Sequence, residues 1–281
     1  MPLELTDEAT SRYVRTPSWN IHYNEAGEGH PVILLHGSGP GATGWSNFGP
    51  NMPALAERFR VIAVDMPGWG ASDAVTFDER DHAGAALELL DTLGIEKAAF
   101  VGNSMGGMTA LRFAALHPER ISHLVTMGPG APGPRLFGAG DGPTEGLKVL
   151  QAAYRDPSAA SMKRLVEIMT FDSANASDEL AAQRANNAQA RPEHLANFLQ
   201  GMAGGGPVRT AATVEQVAGI RTPTLLLHGR DDRVVHFEHS LRLVSVIPDS
   251  RLVLLNRCGH WAQLEHAAEF NRLVRDFVQN A

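Results

Sequence analysis

The sequence predicts an α/β protein, a mostly parallel central sheet flanked by helices, with an inserted helical unit. Three observations carry this. Short apolar runs such as Pro31 to His36 and Ile121 to Met127 read as strands buried on both faces, as in a parallel sheet. Helical patterns alternate with those runs, which implies right-handed βαβ units covered on both sides. The alternation then breaks at Gly128-Pro129-Gly130-Ala131-Pro132-Gly133-Pro134, and only helical patterns follow until about Val208.

Each element has a local reason. Trp19 to Asn24 alternates in the manner of a half-buried strand, with Gly27 and Gly29 in the turn after it. Pro31 to His36 runs into Gly37-Ser38-Gly39-Pro40-Gly41, a loop whose N–H groups are free to point at an anion. Arg60 to Asp65 is a second buried strand, ending in Pro67-Gly68-Trp69-Gly70. Ala83, Ala86, Leu87, Leu90 and Leu93 recur at helical spacing until Gly94 stops that helix. Lys97 to Val101 is the next apolar run, a helix follows over Met108 to His117, and Ile121 to Met127 is again a strand.

Further helices begin near Thr144, at Ser158, at Ser177, and at Pro192, where proline is the first residue. The sheet resumes with Thr222 to His228 and closes with Arg251 to Leu255. A last helix puts Phe270, Leu273, Val274, Phe277 and Val278 on one stripe against the sheet. The expected organisation is a core of residues 1–128 and 209–281, with a helical lid over 129–208.

Composition narrows the function classes. The chain has 281 residues, 43% hydrophobic and 20% charged, a size and balance that suit one large globular domain with an insertion. A formal net charge of -7 and the lack of any basic run argue against nucleic acid and against an anionic membrane as partners. One cysteine, Cys258, excludes an internal disulfide framework and suits a reducing cytoplasm. No stretch reads as a signal peptide or membrane span, and no His-x-x-x-His or Cys-x-x-Cys spacing supports a metal site.

The chemistry centres on Gly102-Asn103-Ser104-Met105-Gly106-Gly107, a Gly-x-Ser-x-Gly pattern between a strand and a helix. Its glycines let strand and helix approach closely, which lifts the Ser104 hydroxyl clear of the sheet beside a helix N-terminus. An acidic residue then follows a later strand, and His260 follows the last one, each where open α/β sheets place their sites. Ser104, acid, His260 is the chain order of the α/β-hydrolases. Ser104 needs a base, His260 supplies it, and a buried carboxylate would hold the imidazole in the right tautomer.

Asp231 and Asp232 compete for the acid; Asp232 is favoured, lying 28 residues (260 − 232) before His260. The Met105 N–H and the Gly37–Gly41 loop are the natural oxyanion donors. An ordinary carboxylesterase or peptidase of this fold remains an alternative, as does a ligand-binding protein without turnover.

Across nearly its whole length the chain resembles the meta-cleavage product hydrolases, carbon–carbon bond hydrolases of bacterial aromatic catabolism. The carrying residues are His36-Gly37-Ser38-Gly39-Pro40-Gly41-Ala42-Thr43-Gly44-Trp45, the Ser104 elbow, Gly229-Arg230-Asp231-Asp232-Arg233 and Cys258-Gly259-His260-Trp261-Ala262-Gln263. The resemblance implies Ser104, Asp232 and His260 as the triad, with Ser38 and Met105 supplying the oxyanion-hole N–H groups. It further implies Gly37, Gly39, Asn47, Asn103, Arg184, Trp261 and Val234 as substrate-binding residues. Of these, Asn103, Arg184 and Trp261 would hold the carboxylate and plane of a 2-hydroxy-6-oxohexa-2,4-dienoate. The residues read alone leave Asn103 as a possible elbow brace and Trp261 as a possible core aromatic. The resemblance also implies a small-molecule substrate, no cofactor, and a homodimer or higher even homo-oligomer.

Overall fold

Eight strands form one sheet in the order β1-β2-β4-β3-β5-β6-β7-β8 in a computed structural model that describes residues 5–135, 137, 142–204 and 211–280. The strands are β1 (Ser11–Arg15), β2 (Asn20–Ala26), β3 (His30–Leu35), β4 (Phe59–Val64), β5 (Ala98–Asn103), β6 (Ile121–Met127), β7 (Thr224–Gly229) and β8 (Ser250–Leu255). β2 pairs antiparallel with β1 and β4, and every other pairing is parallel.

The strand period of two sorts β3 between two apolar layers. Ile33 and Leu35 pack with Leu89, Leu90, Ala110 and Phe113, from helices His82–Thr92 and Met105–Leu116. Val32 and Leu34 face the other way, towards Met52, Phe270, Val274 and Phe277. Residues Phe270, Val274 and Phe277 come from the predicted stripe of the final helix, Ala267–Asn280. A sheet covered on both faces leaves the carboxyl ends of its strands as the open edge for a site.

Among the described residues no strand lies between β6 and β7. Helices Glu145–Arg155, Ala159–Met169, Asp178–Gln189 and Pro192–Gly204 occupy this stretch. Three start where a hydroxyl side chain caps them: Thr144 accepts from Leu147 N–H, Ser158 from Ser161 N–H and Ser177 from Leu180 N–H. Their apolar faces build a separate cluster around Leu150, Tyr154, Leu165, Val166 and Ala185, which Val234 and Trp261 join from the sheet side. The expected junction at 208–209 lies outside the described residues.

Some boundaries differ from the sequence reading. The helix after Ser104 starts at Met105 rather than Met108, because the turn is tight enough for the helix to begin at the next residue. Strand β1 and the helices Gly44–Phe48, Met52–Ala56 and Glu238–Val246 were not foreseen. β1 is a mostly exposed edge strand without a buried apolar run. A tertiary contact seats it: Ser11 Oγ lies 2.8 Å from His22 Nε2, whose Nδ1 lies 2.8 Å from the buried Asp65 carboxylate.

Candidate active site

β5 ends at Asn103 and a helix begins at Met105, so Ser104 alone turns the chain, with φ 53° and ψ −113°. A positive φ on a serine is strained backbone that persists only where its surroundings hold it. Here Ser104 N–H donates to Met127 O at 2.7 Å and Met108 N–H donates to Ser104 O at 2.9 Å. A Cβ on Gly102 would overlap the Gly106 backbone, and one on Gly106 would overlap the Leu35 carbonyl. Glycine is thus required on both sides of the serine.

Asp232 follows β7 and His260 follows β8, and His260 Nδ1 lies 2.7 Å from Asp232 Oδ2. The other oxygen, Oδ1, accepts from the N–H groups of Val234 (2.8 Å) and Val235 (2.9 Å). Burial on its own would raise the Asp232 carboxyl. The facing His260 and His228, and the hydrogen bonds they make, outweigh it and hold the group well below the usual carboxylate range. Asp232 is therefore an ionised carboxylate that orients an imidazole. Asp231 turns elsewhere: its N–H donates to Cys258 O, and its Oδ2 is buried without a partner.

Gly128, with φ +52°, closes the back of this pair; a Cβ there would stand 3.0 Å from both Asp232 Oδ2 and His260 Nδ1. The His260 N–H donates to Met169 O at 2.6 Å, which ties the imidazole's backbone to the helical insertion.

Ser104 and His260 line one narrow cavity together with Gly37, Ser38, Gly39, Ala42, Asn47, Asn103, Arg184 and Trp261. Among the described residues no direct hydrogen bond joins Ser104 to His260, and unliganded sites of this type often tighten only around substrate. Ser104 and Ser38 also line a second cavity of about 610 Å³, with Met105 and Val234 in its wall. The serine thus stands where two cavities meet.

Arg184 dominates the electrostatics of the narrower one. It is 2% exposed, and its guanidinium carbon lies 4.4 Å from the centre of the Trp261 ring. Among the described residues no carboxylate pairs with it, and its Nε has no hydrogen-bond partner. Burial pushes its pKa down to about 10. Asn103 Nδ2 donates to Met127 O (3.3 Å) and to His260 O (3.0 Å), which leaves its buried Oδ1 as an unused acceptor. Asn47, 2% exposed, spends its amide on Thr43 O at 3.1 Å.

Residues 30–267 match the α/β-hydrolase fold family. The chain is 43% identical to a 2-hydroxy-6-oxononadienedioate/2-hydroxy-6-oxononatrienedioate hydrolase of Cupriavidus pinatubonensis, over 98% of both chains. It is 44% identical to a 2-hydroxy-6-oxo-6-phenylhexa-2,4-dienoate hydrolase of Burkholderia cepacia, over 99% of both. A solved meta-cleavage product hydrolase from Pseudomonas fluorescens superimposes with a TM-score of 0.85 at 33% identity, covering 97% of this chain and 99% of that one. The chain belongs to the meta-cleavage product hydrolases of the α/β-hydrolase fold.

In this hydrolase every residue proposed from the sequence lies at one cavity or the other, or directly behind it: Asp232 stands behind His260, with no wall of its own. Two further side chains escaped sequence reasoning. Tyr154, from helix Glu145–Arg155, donates its hydroxyl to Ser38 O at 2.6 Å and accepts from Trp69 Nε1 at 3.1 Å, so the helical insertion holds the Ser38 loop. His228 lies beneath Asp232, 3.3 Å from its Oδ2. Neither belongs to a recognisable short motif, although the sequence His228-Gly229 directly before the acidic turn was a usable sign. Cys258 is fully buried and its thiol is pushed up by that burial, as for a packing residue.

Among the described residues no His, Cys, Asp and Glu cluster could hold a metal ion, and no helix is long and apolar enough to cross a membrane.

Proposed function

We propose that this hydrolase cleaves the C5–C6 bond of 2-hydroxy-6-oxohexa-2,4-dienoate ring-cleavage products, giving 2-hydroxypenta-2,4-dienoate and a carboxylic acid. The observation that carries the reading is Arg184, a buried guanidinium with no carboxylate partner among the described residues, in the same cavity as Ser104. A buried charge without a counter-ion is costly, and a substrate carboxylate would supply the missing partner through charge-assisted hydrogen bonds. An ordinary ester hydrolase has no use for that cation.

The remaining groups then take roles. Arg184 binds the dienoate carboxylate, and the free Oδ1 of Asn103 accepts from the adjacent 2-hydroxyl. Trp261 bears on the conjugated plane. His260, held by Asp232, takes the hydroxyl proton and delivers it to C5, which leaves a 2-oxo group in conjugation with the C5–C6 bond. Ser104 attacks the C6 carbonyl as His260 removes its proton, and the Ser38 and Met105 N–H groups hold the oxyanion.

The C5–C6 bond then breaks, its electron pair moves into the dienolate stabilised by Arg184, and His260 passes the serine proton to that dienolate to give 2-hydroxypenta-2,4-dienoate. His260 then deprotonates a water that displaces the acid, and returns the proton to Ser104. The acyl end occupies the cavity of about 610 Å³, roomy enough for a group well beyond methyl. The helical insertion over 129–208 acts as the lid, and the single buried thiol suits the cytoplasm and a homodimer or higher even assembly completes the reading.

The test is a panel of coloured dienoates with phenyl, methyl and carboxyethyl acyl ends beside a neutral nitrophenyl ester. Decay of the dienoate absorbance with stoichiometric 2-hydroxypenta-2,4-dienoate and acid is expected, with kcat/KM well above that on the ester. Ester turnover without dienoate cleavage would refute the reading.

A further inference from the structure

We infer that His228 is a positioning residue for this reaction, fixing Asp232 and through it the placement of His260. The inference rests on the proposed triad. His228 is the penultimate residue of β7 and is fully buried. Its Nδ1 lies 2.7 Å from Ser240 Oγ, on helix Glu238–Val246. Its Nε2 lies 2.8 Å from Val235 O and 3.3 Å from Asp232 Oδ2. Both neighbours of Nε2 are acceptors, so Nε2 carries a ring hydrogen, and the Ser240 hydroxyl partners Nδ1.

Two consequences follow for the acid. The bond to Val235 O clamps the turn 232–235, whose Val234 and Val235 N–H groups grip Asp232 Oδ1. The Nε2–H of His228 also faces the same Oδ2 that His260 Nδ1 addresses, so two imidazoles share one carboxylate oxygen. His228 and His260 are thereby coupled through Asp232.

The titratable groups around this pair come from three segments. They are Asp231 and Asp232 on the turn, Cys258 and His260 after β8, and Glu238 and His239 on the helix that carries Ser240. Of these, His228 and His260 hydrogen-bond to the Asp232 carboxylate.

The experiment compares His228→Phe, His228→Gln and Ser240→Ala on a dienoate and on a nitrophenyl ester, across pH. His228→Phe should lower kcat about tenfold on both substrates with KM within about twofold, as expected for loss of one hydrogen bond to a charged group. The acid limb of kcat/KM should move up by about half a pH unit or more, because His260 then faces the whole Asp232 charge. His228→Gln places an amide N–H near the Nε2 position and should return kcat to within about threefold, with the original midpoint.

Ser240→Ala keeps the core filled and carries the test if the phenylalanine variant does not fold. It should show a smaller loss, about threefold, with a smaller upward movement. Wild-type kcat and midpoint in His228→Phe, or equal damage in His228→Phe and His228→Gln, would overturn the inference. So would an unmoved profile in Ser240→Ala.

Discussion

Replacing Arg184 by methionine should pull activity and stability in opposite directions. The pKa of Arg184 stands at about 10 against an ordinary 12.5, and burial is the cause. At about 1.36 kcal/mol per pH unit, that displacement is worth about 3 kcal/mol against folding. The sign is fixed: a cation whose folded pKa is depressed opposes folding at every pH below the folded value, so the penalty is whole at pH 7. The Trp261 ring, 4.4 Å away, gives back about 1–2 kcal/mol.

Methionine keeps an apolar stem of similar length, so the unliganded variant should gain about 1–2 kcal/mol and melt a few degrees higher. Against this, the dienoate loses charge-assisted contacts worth about 1.5–3 kcal/mol, a drop in kcat/KM of about ten- to a hundredfold. A neutral nitrophenyl ester, which needs only Ser104, His260 and the oxyanion donors, should change by less than about threefold. The assays are steady-state kinetics on both substrates and thermal unfolding followed by circular dichroism. Equal losses on the two substrates, or a variant that melts several degrees lower, would show that Arg184 supports the helical insertion rather than the substrate.

Two further outcomes are expected. Ser104→Ala and His260→Ala should each lower kcat by about a thousandfold or more while the protein stays folded, and Asp232→Asn should cost far more than Asp231→Asn; activity within tenfold of wild type in either alanine variant, or the reverse order of the two asparagine variants, would reassign the roles. Acid should destabilise the fold through its buried histidines: burial holds His82 at about 3 and His194 at about 4, whereas both titrate near 6.5 once unfolded. The unfolded chain then binds more protons as pH falls below 6.5, so each costs up to about 1.4 kcal/mol per pH unit down to its folded value. Denaturant titrations at pH 7.5, 6 and 5 should show that slope, and His82→Gln should flatten it; an unchanged slope would remove His82 as a cause.

What the sequence determined by itself is whatever neighbouring residues decide. The Ser104 turn needs glycine at 102 and 106 because their Cβ atoms would strike backbone a few residues away in the elbow or on the adjoining strand. The starts of the inserted helices at Thr144, Ser158 and Ser177 follow from caps closed within one turn of chain. The buried strands declare themselves as apolar runs, so the parallel core and the helical insertion were legible, while β1 was not, because an exposed edge strand has no such run.

Only the tertiary structure decided matters in which distant segments converge. Asp232 rather than Asp231 faces His260, because the turn after β7 aims one carboxylate at Nδ1 and the other away. Asn103 braces the elbow with its amide and offers the cavity an acceptor, since Met127 and His260 place carbonyls beside its nitrogen. Arg184 is named in the sequence by resemblance alone; that it is buried against Trp261 with no counter-ion among the described residues emerges only from the packing. A pattern along the chain encodes conformation within a few residues; the partner a charge has, or lacks, is set by the packing of elements far apart in sequence.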